Sequence, residues 1–159
     1  MKQRLSFFVL LPVMLLSFVF ASNGRIFKEE DTVPPELGKE ITTILLLETP
    51  RNKVNKDMVQ AFEKFYSGTV EMIPENMLNS GQYKDTKKYR YYLSTNIRFV
   101  DAKGWGNNRQ PATYEYSYGL TDRQNNNKYG TSNASDALLS LLKRYIKKIE
   151  EVWKSNQVK

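Results

Sequence analysis

Apolar positions recur along this chain with different periods, and each period predicts a different element. Thr42–Glu48 (TTILLLE) is an unbroken apolar run of strand length, the pattern of a central strand covered on both faces. Pro50 ends it. Met58, Val59, Phe62, Phe65 and Tyr66 then return at helical spacing, with Asn55 as the expected N-cap and Gly68 as the stop. Thr69–Ile73 (TVEMI) reads as a second strand. A strand, a helix and a strand this close together make a βαβ unit, so the two strands should be parallel with a right-handed crossover. Pro74–Ser80 starts a short helix that Gly81 breaks.

The pattern then changes to strict alternation. Tyr89, Tyr91, Leu93, Thr95, Ile97 and Phe99 fall on one side, and Arg90, Tyr92, Ser94, Asn96 and Arg98 on the other. That is a long half-buried strand. Asp101–Pro111 is a turn-rich loop. Tyr114, Tyr116, Tyr118 and Leu120 form the next alternating strand, Asp122–Lys128 a polar hairpin tip, and Tyr129–Asn133 a shorter strand. The chain closes with a long amphipathic helix. Leu138, Leu141, Leu142, Tyr145, Ile149 and Val152 lie on its apolar face, with Ser135 as its expected N-cap. The predicted fold is α+β: a β-α-β unit, a three-stranded antiparallel meander and a long C-terminal helix. Its sheet is mixed, and the helices lie on one face.

Two segments precede this body. Met1–Ala21 has a basic start (Lys2, Arg4) and an apolar run, Leu5–Phe20, broken only by Ser6, Pro12 and Ser17. Val19 and Ala21 supply the small residues before a cut at Ser22. This is the pattern of a secretory signal peptide, and the run is short for a bilayer span of about 20 residues. Ser22–Glu40, with Pro34, Pro35 and Gly38, is expected to be a flexible leader, and residues 41–155 a single domain.

Composition then narrows the chemistry. The 159 residues contain no histidine and no cysteine. A Ser-His-Asp triad, a Cys-His pair, a His/Cys zinc site, a disulfide and a cysteine-linked lipid are all excluded. The formal charge is +7, with 24 basic and 17 acidic residues, and loss of Lys2 and Arg4 with the leader lowers it. Nucleic acid is the usual partner of so basic a chain. Export and the dispersed charges argue against it. No cofactor, metal, catalytic residue or stable membrane span after signal cleavage is expected. The protein should be secreted or periplasmic.

Several stretches resemble a known α/β domain. ITTILLLE with its helix, YRYYLSTNI, TYEYSYGLTDRQNNNKYG and ALLSLLKRYIKKIEE follow the order of three families. They are the TolB N-terminal domain, the CsgG-type secretion proteins and the lipoproteins that activate penicillin-binding proteins. Leu120-Thr121-Asp122 is similar to the apolar-to-Asp step of those families. The resemblance implies an envelope protein that works by binding other proteins. The activator lipoproteins carry an anchoring cysteine, which this chain lacks.

Candidate binding residues cluster around the meander. Trp105 lies between Gly104 and Gly106 in the loop Lys103–Arg109. An exposed Trp on a loop desolvates a large area on contact and is a common anchor. The alternative is a Trp folded back over the sheet edge. Tyr92 has the parity of the polar side, and Arg98 and Arg109 would add charge near Trp105. The other strand tyrosines, Tyr89, Tyr91, Tyr114, Tyr116 and Tyr118, are expected to pack under the helices. The leading expectation is thus a non-enzymatic domain that binds an envelope or extracellular protein. Glycan or wall-polymer binding through Trp105 and Tyr92 is the alternative. A carboxylate-dependent hydrolase would need two of Asp101, Glu115 and Asp122 facing across a cleft.

Overall fold

The computed structural model describes residues 31–104, 106, 109–131 and 134–157. The expected signal peptide and Trp105 lie outside the described residues. Five strands form one mixed sheet in the order β2-β1-β3-β4-β5: β1 (Thr43–Leu47), β2 (Thr69–Ile73), β3 (Tyr91–Val100), β4 (Thr113–Asp122) and β5 (Lys128–Gly130). The β1–β2 and β1–β3 pairs are parallel, and β3–β4 and β4–β5 are antiparallel. Helix α1 (Asn52–Phe65) crosses from β1 to β2, and α2 (Leu138–Gln157) ends the described chain. Two 3-10 turns, Glu75–Met77 and Gly81–Lys84, connect β2 to β3. This is the predicted α+β arrangement, with the helices on one face.

β1 is apolar from Ile44 to Leu47 because both of its faces are covered there. Ile44 and Leu46 join Met58, Phe62, Leu141, Tyr145 and Ile149 beneath the two helices. Leu45 and Leu47 point the other way, into a smaller cluster with Ile73 and Tyr89. That second face is closed by the segment of the 3-10 turns, through Leu78 and Tyr83. Tyr89 therefore packs on the face opposite the helices, not under them.

Three helix and strand boundaries depart from expectation. Asn55 does not cap α1, which begins at Asn52. Its side-chain oxygen instead accepts from the Thr49 N–H at 2.8 Å, and its Nδ2 donates to the Thr49 carbonyl at 3.0 Å. An Asn that satisfies a strand-to-helix turn has no oxygen left for the helix end. Ser135 likewise lies before α2, exchanging backbone bonds with Tyr116 at 2.8 and 2.9 Å. β5 stops at Gly130, earlier than the alternation suggested.

The expected leader is also partly docked. Leu37 is fully buried in the main core. Asn156 on α2 donates to the Pro35 and Leu37 carbonyls at 2.9 and 2.8 Å, and Gln157 to Gly38 at 2.6 Å. Thr32 bonds to Gly130 at 2.9 Å. Proline and charge in the segment concealed a buried leucine, which Pro34 joins in the interior.

Candidate functional site

β3 and β4 are each ten residues long, whereas β1 has five. β1 pairs with β3 only at Tyr91–Leu93. Beyond that point the hairpin projects past the end of β1. The ladder between β3 and β4 continues to Val100–Thr113, and a further bridge joins Lys103 and Gln110. The outer side of Ser94–Val100 has no partner strand among the described residues.

Which groups point outward follows from the ladder. The Arg123 N–H donates to the Arg90 carbonyl at 2.8 Å, flanking the Tyr91–Asp122 pair. Tyr116 bonds away from β3, to Ser135. Antiparallel alternation then turns the N–H and C=O groups of Thr95, Ile97 and Phe99 away from β4, toward the open side. The far side of β4 is different. Ser135 covers it at Tyr116, and the Thr131 N–H reaches the Tyr118 carbonyl at 3.0 Å.

The helix-side face of the hairpin grades from buried to exposed. Leu93, Leu120 and Tyr118 are in the core, and Tyr118 donates to the Leu138 carbonyl at 3.3 Å. Phe99 is 54% exposed and Tyr114 38%. Their rings meet across the ladder, 5.2 Å between centroids. Tyr114 was expected under the helices; the hairpin outruns them. Arg51, at the start of α1, lies over the Tyr114 ring at 3.6 Å and donates to the Tyr116 hydroxyl at 3.4 Å. A cation over a ring face is a favourable contact.

A cavity of about 540 Å³ lies where β1 stops. Residues 47–51, Glu75 and residues 94–97 line it. Glu48 and Glu75 are exposed at its rim, and neither carboxylate has an ionic partner among the described residues.

The predicted site residues do not converge. Tyr92 is half-buried against the Leu45 and Tyr89 cluster. Arg98 lies on the same face of β3, six positions along, or about 20 Å. Arg98 is exposed and ion-paired with Glu115, its partner in the register. Arg109 is exposed in the loop, where its N–H donates to Gly106 at 3.3 Å. Gly104 and Gly106 have φ of 92° and 59°, a left-handed backbone that favours glycine.

No family model matches the sequence, and no curated protein matches it. Among solved structures, two of a PelC dodecamer from Paraburkholderia phytofirmans are similar in chain path, one of them a point variant. Each aligns over 75% of this chain and 94% of its own, at 15% identity, with TM-scores of 0.47 and 0.46. Among the described residues no helix is long and apolar enough to cross a membrane.

Asp101, Glu115 and Asp122 do not face one another across a cleft. Asp122 is opposite Tyr91 and Asp101 follows Val100, so they occupy opposite ends of the ladder. Glu115 is committed to Arg98. Asp122 is 1% exposed and accepts from Arg90 at 2.8 to 3.2 Å and from the Gln124 N–H at 2.9 Å. Burial alone would push this carboxyl up; Arg90 and the Gln124 amide hold it below its ordinary value. Arg90, itself raised by Asp122, also reaches Glu36 at 2.6 Å. The Leu120-Thr121-Asp122 step thus ends in a structural clamp. No group of three His, Cys, Asp or Glu able to hold a metal occurs among the described residues.

Sequence reasoning missed Ile97, Phe99 and the Glu48–Glu75 rim. The signal for the first two was a difference in length: an apolar run of strand length beside an alternating run about twice as long.

Proposed function

We propose that this chain is an exported, non-enzymatic domain that binds another protein of the cell envelope or extracellular space, and that it does so through the outer edge of β3. One observation carries the reading: Ser94–Val100 offers backbone donors and acceptors on a projecting hairpin, beside exposed aromatic rings. Soluble proteins normally blunt such an edge, and strand addition is the standard use of one left open. The pattern of Met1–Ala21 supports export. The resemblance to the TolB, CsgG and activator-lipoprotein domains belongs to the same proposal.

The test is affinity capture from envelope extracts with Ile97→Pro as the comparison. Proline at 97 removes an outward N–H and leaves the β3–β4 ladder alone. Wild type should retain a discrete partner that Ile97→Pro loses. No retained protein, or equal retention by both, would count against the reading. Trp105→Ala in the same experiment tells whether the loop contributes.

The exposed Phe99 and Tyr114 rings favour a second reading, stacking against sugar rings. A glycan array that binds wild type but not Tyr114→Ala would select it.

A further inference from the structure

We propose that the β3 edge is occupied by a second copy of this chain, paired antiparallel about a twofold axis through Ile97. This rests on the reading of the edge as a binding element and names its occupant. Antiparallel self-pairing places Ile97 against the partner's Ile97, and Thr95 against the partner's Phe99. All of these residues turn their backbone groups outward, so each pair exchanges two hydrogen bonds.

The register is selected by what is free. A centre on Thr95 would set Ile97 against Leu93, whose edge β1 already holds. A centre on Phe99 would set Ile97 against Asp101, past the end of the strand. The Ile97 centre pairs Thr95–Phe99 of the two copies on open edge, whereas a centre on Asn96 sets Phe99 against Leu93, which β1 holds, and one on Arg98 opposes two arginines.

Side chains fit that register on both faces. On the helix side, Phe99 and the cavity at Thr95 lie two positions either side of the axis. The twofold therefore carries the exposed ring of each copy to the cavity of the other. An isologous contact requires this kind of self-complementarity. On the polar side, Arg98 meets the partner's Asn96, so no like charges are opposed. Past Val100, the loop with Lys103 and Arg109, both exposed, arrives at the end of β1. There it meets Glu48 and Glu75, two exposed carboxylates of the cavity rim that have no ionic partner among the described residues. The product is one continuous sheet running through both copies, with the projecting β3 edge of each covered.

The absence of cysteine makes the test direct. The protein is purified after export and studied by sedimentation equilibrium over a range of concentrations. Single-cysteine variants Ile97→Cys and Phe99→Cys are oxidised in parallel. Residues facing each other across the axis have Cα atoms about 5.5 Å apart, within disulfide range. The two copies of position 99 are separated by about 13 Å along the strands. Wild type should be a concentration-dependent dimer, and Ile97→Pro a folded monomer by circular dichroism. Ile97→Cys should form the interchain disulfide roughly tenfold faster than Phe99→Cys, reflecting a high local concentration. Monomer at every concentration overturns the proposal, as does equal or faster crosslinking at position 99. The crosslinking comparison decides the matter even if Ile97→Pro does not fold. A monomer that still captures an envelope protein in an Ile97→Pro-sensitive way would sink self-pairing and leave the proposed function standing.

Discussion

Asp122 is the most constrained charge in the described molecule. Its carboxylate is almost completely buried, and Arg90 is its one ionic partner. Arg90→Ala would strand that charge, and a buried ion left without its partner costs about 3 kcal/mol or more. Chemical denaturation should show the loss as a lower midpoint. The pH dependence follows from the sign of the shifts. Asp122 and Glu150 are both held below their ordinary values of 3.8 and 4.5. For each, burial works against the charge. Arg90 and the Gln124 amide outweigh it at Asp122, and Lys154 and Ser67 at Glu150. A depressed folded value means that the stabilisation is complete above the ordinary value and is lost as pH falls below it. Thermal midpoints should therefore hold from neutral pH to about 4.5 and drop below that. Asp122→Asn should start lower and fall less steeply. Arg90 and Arg98 fall on the same polar side of the alternating strand, so by charge alone either could pair with Glu115. Only the register, which sets Arg98 opposite Glu115, separates them, and register is a property of the pairing.

At the scale of elements, the packing of the N-terminal segment against α2 and the two sides of β3 give contrasting predictions. Gly38 has a φ of 94°, and a Cβ there would lie 2.7 Å from the Trp153 carbonyl oxygen. Gly38→Ala should cost about 1–3 kcal/mol, because both the backbone and the space forbid it. A thermal melt would read this. In β3, Asn96 faces β4 and Ile97 faces outward. Asn96→Pro removes a ladder bond, so it should be about 1–3 kcal/mol less stable than Ile97→Pro. Equal stabilities would mean that the Asn96 N–H is not bonded within the ladder. Periodicity marked both strands of the hairpin and most of their partners. It did not mark the docking of residues 31–38, where one buried leucine in a proline-rich stretch has no period to reveal it.

For the whole molecule, the rim at β5 and the distal side of the central strand β3 are treated unequally. The β5 rim is covered by Thr32, while the distal β3 rim stays open among the described residues. Hydrogen exchange separates the two sides of one strand. In dilute solution the amides of Ile97 and Phe99 should exchange quickly, and those of Asn96 and Arg98 slowly. At high concentration the outward amides should become protected as copies pair. Fast exchange of all four would indicate that the hairpin frays instead of projecting as a firm element.

Sequence alone determined the kinds and order of elements, because 2.0- and 3.6-residue periods are local and survive in the linear chain. It also removed histidine and cysteine chemistry outright. The site was decided by tertiary structure. Tyr91 and Phe99 belong to the same alternating set, yet one is fully buried and the other is 54% exposed. The difference is where β1 and the helices end relative to β3. Burial depends on which surface arrives opposite a residue, and the period of its own strand carries no information about the length of its neighbour.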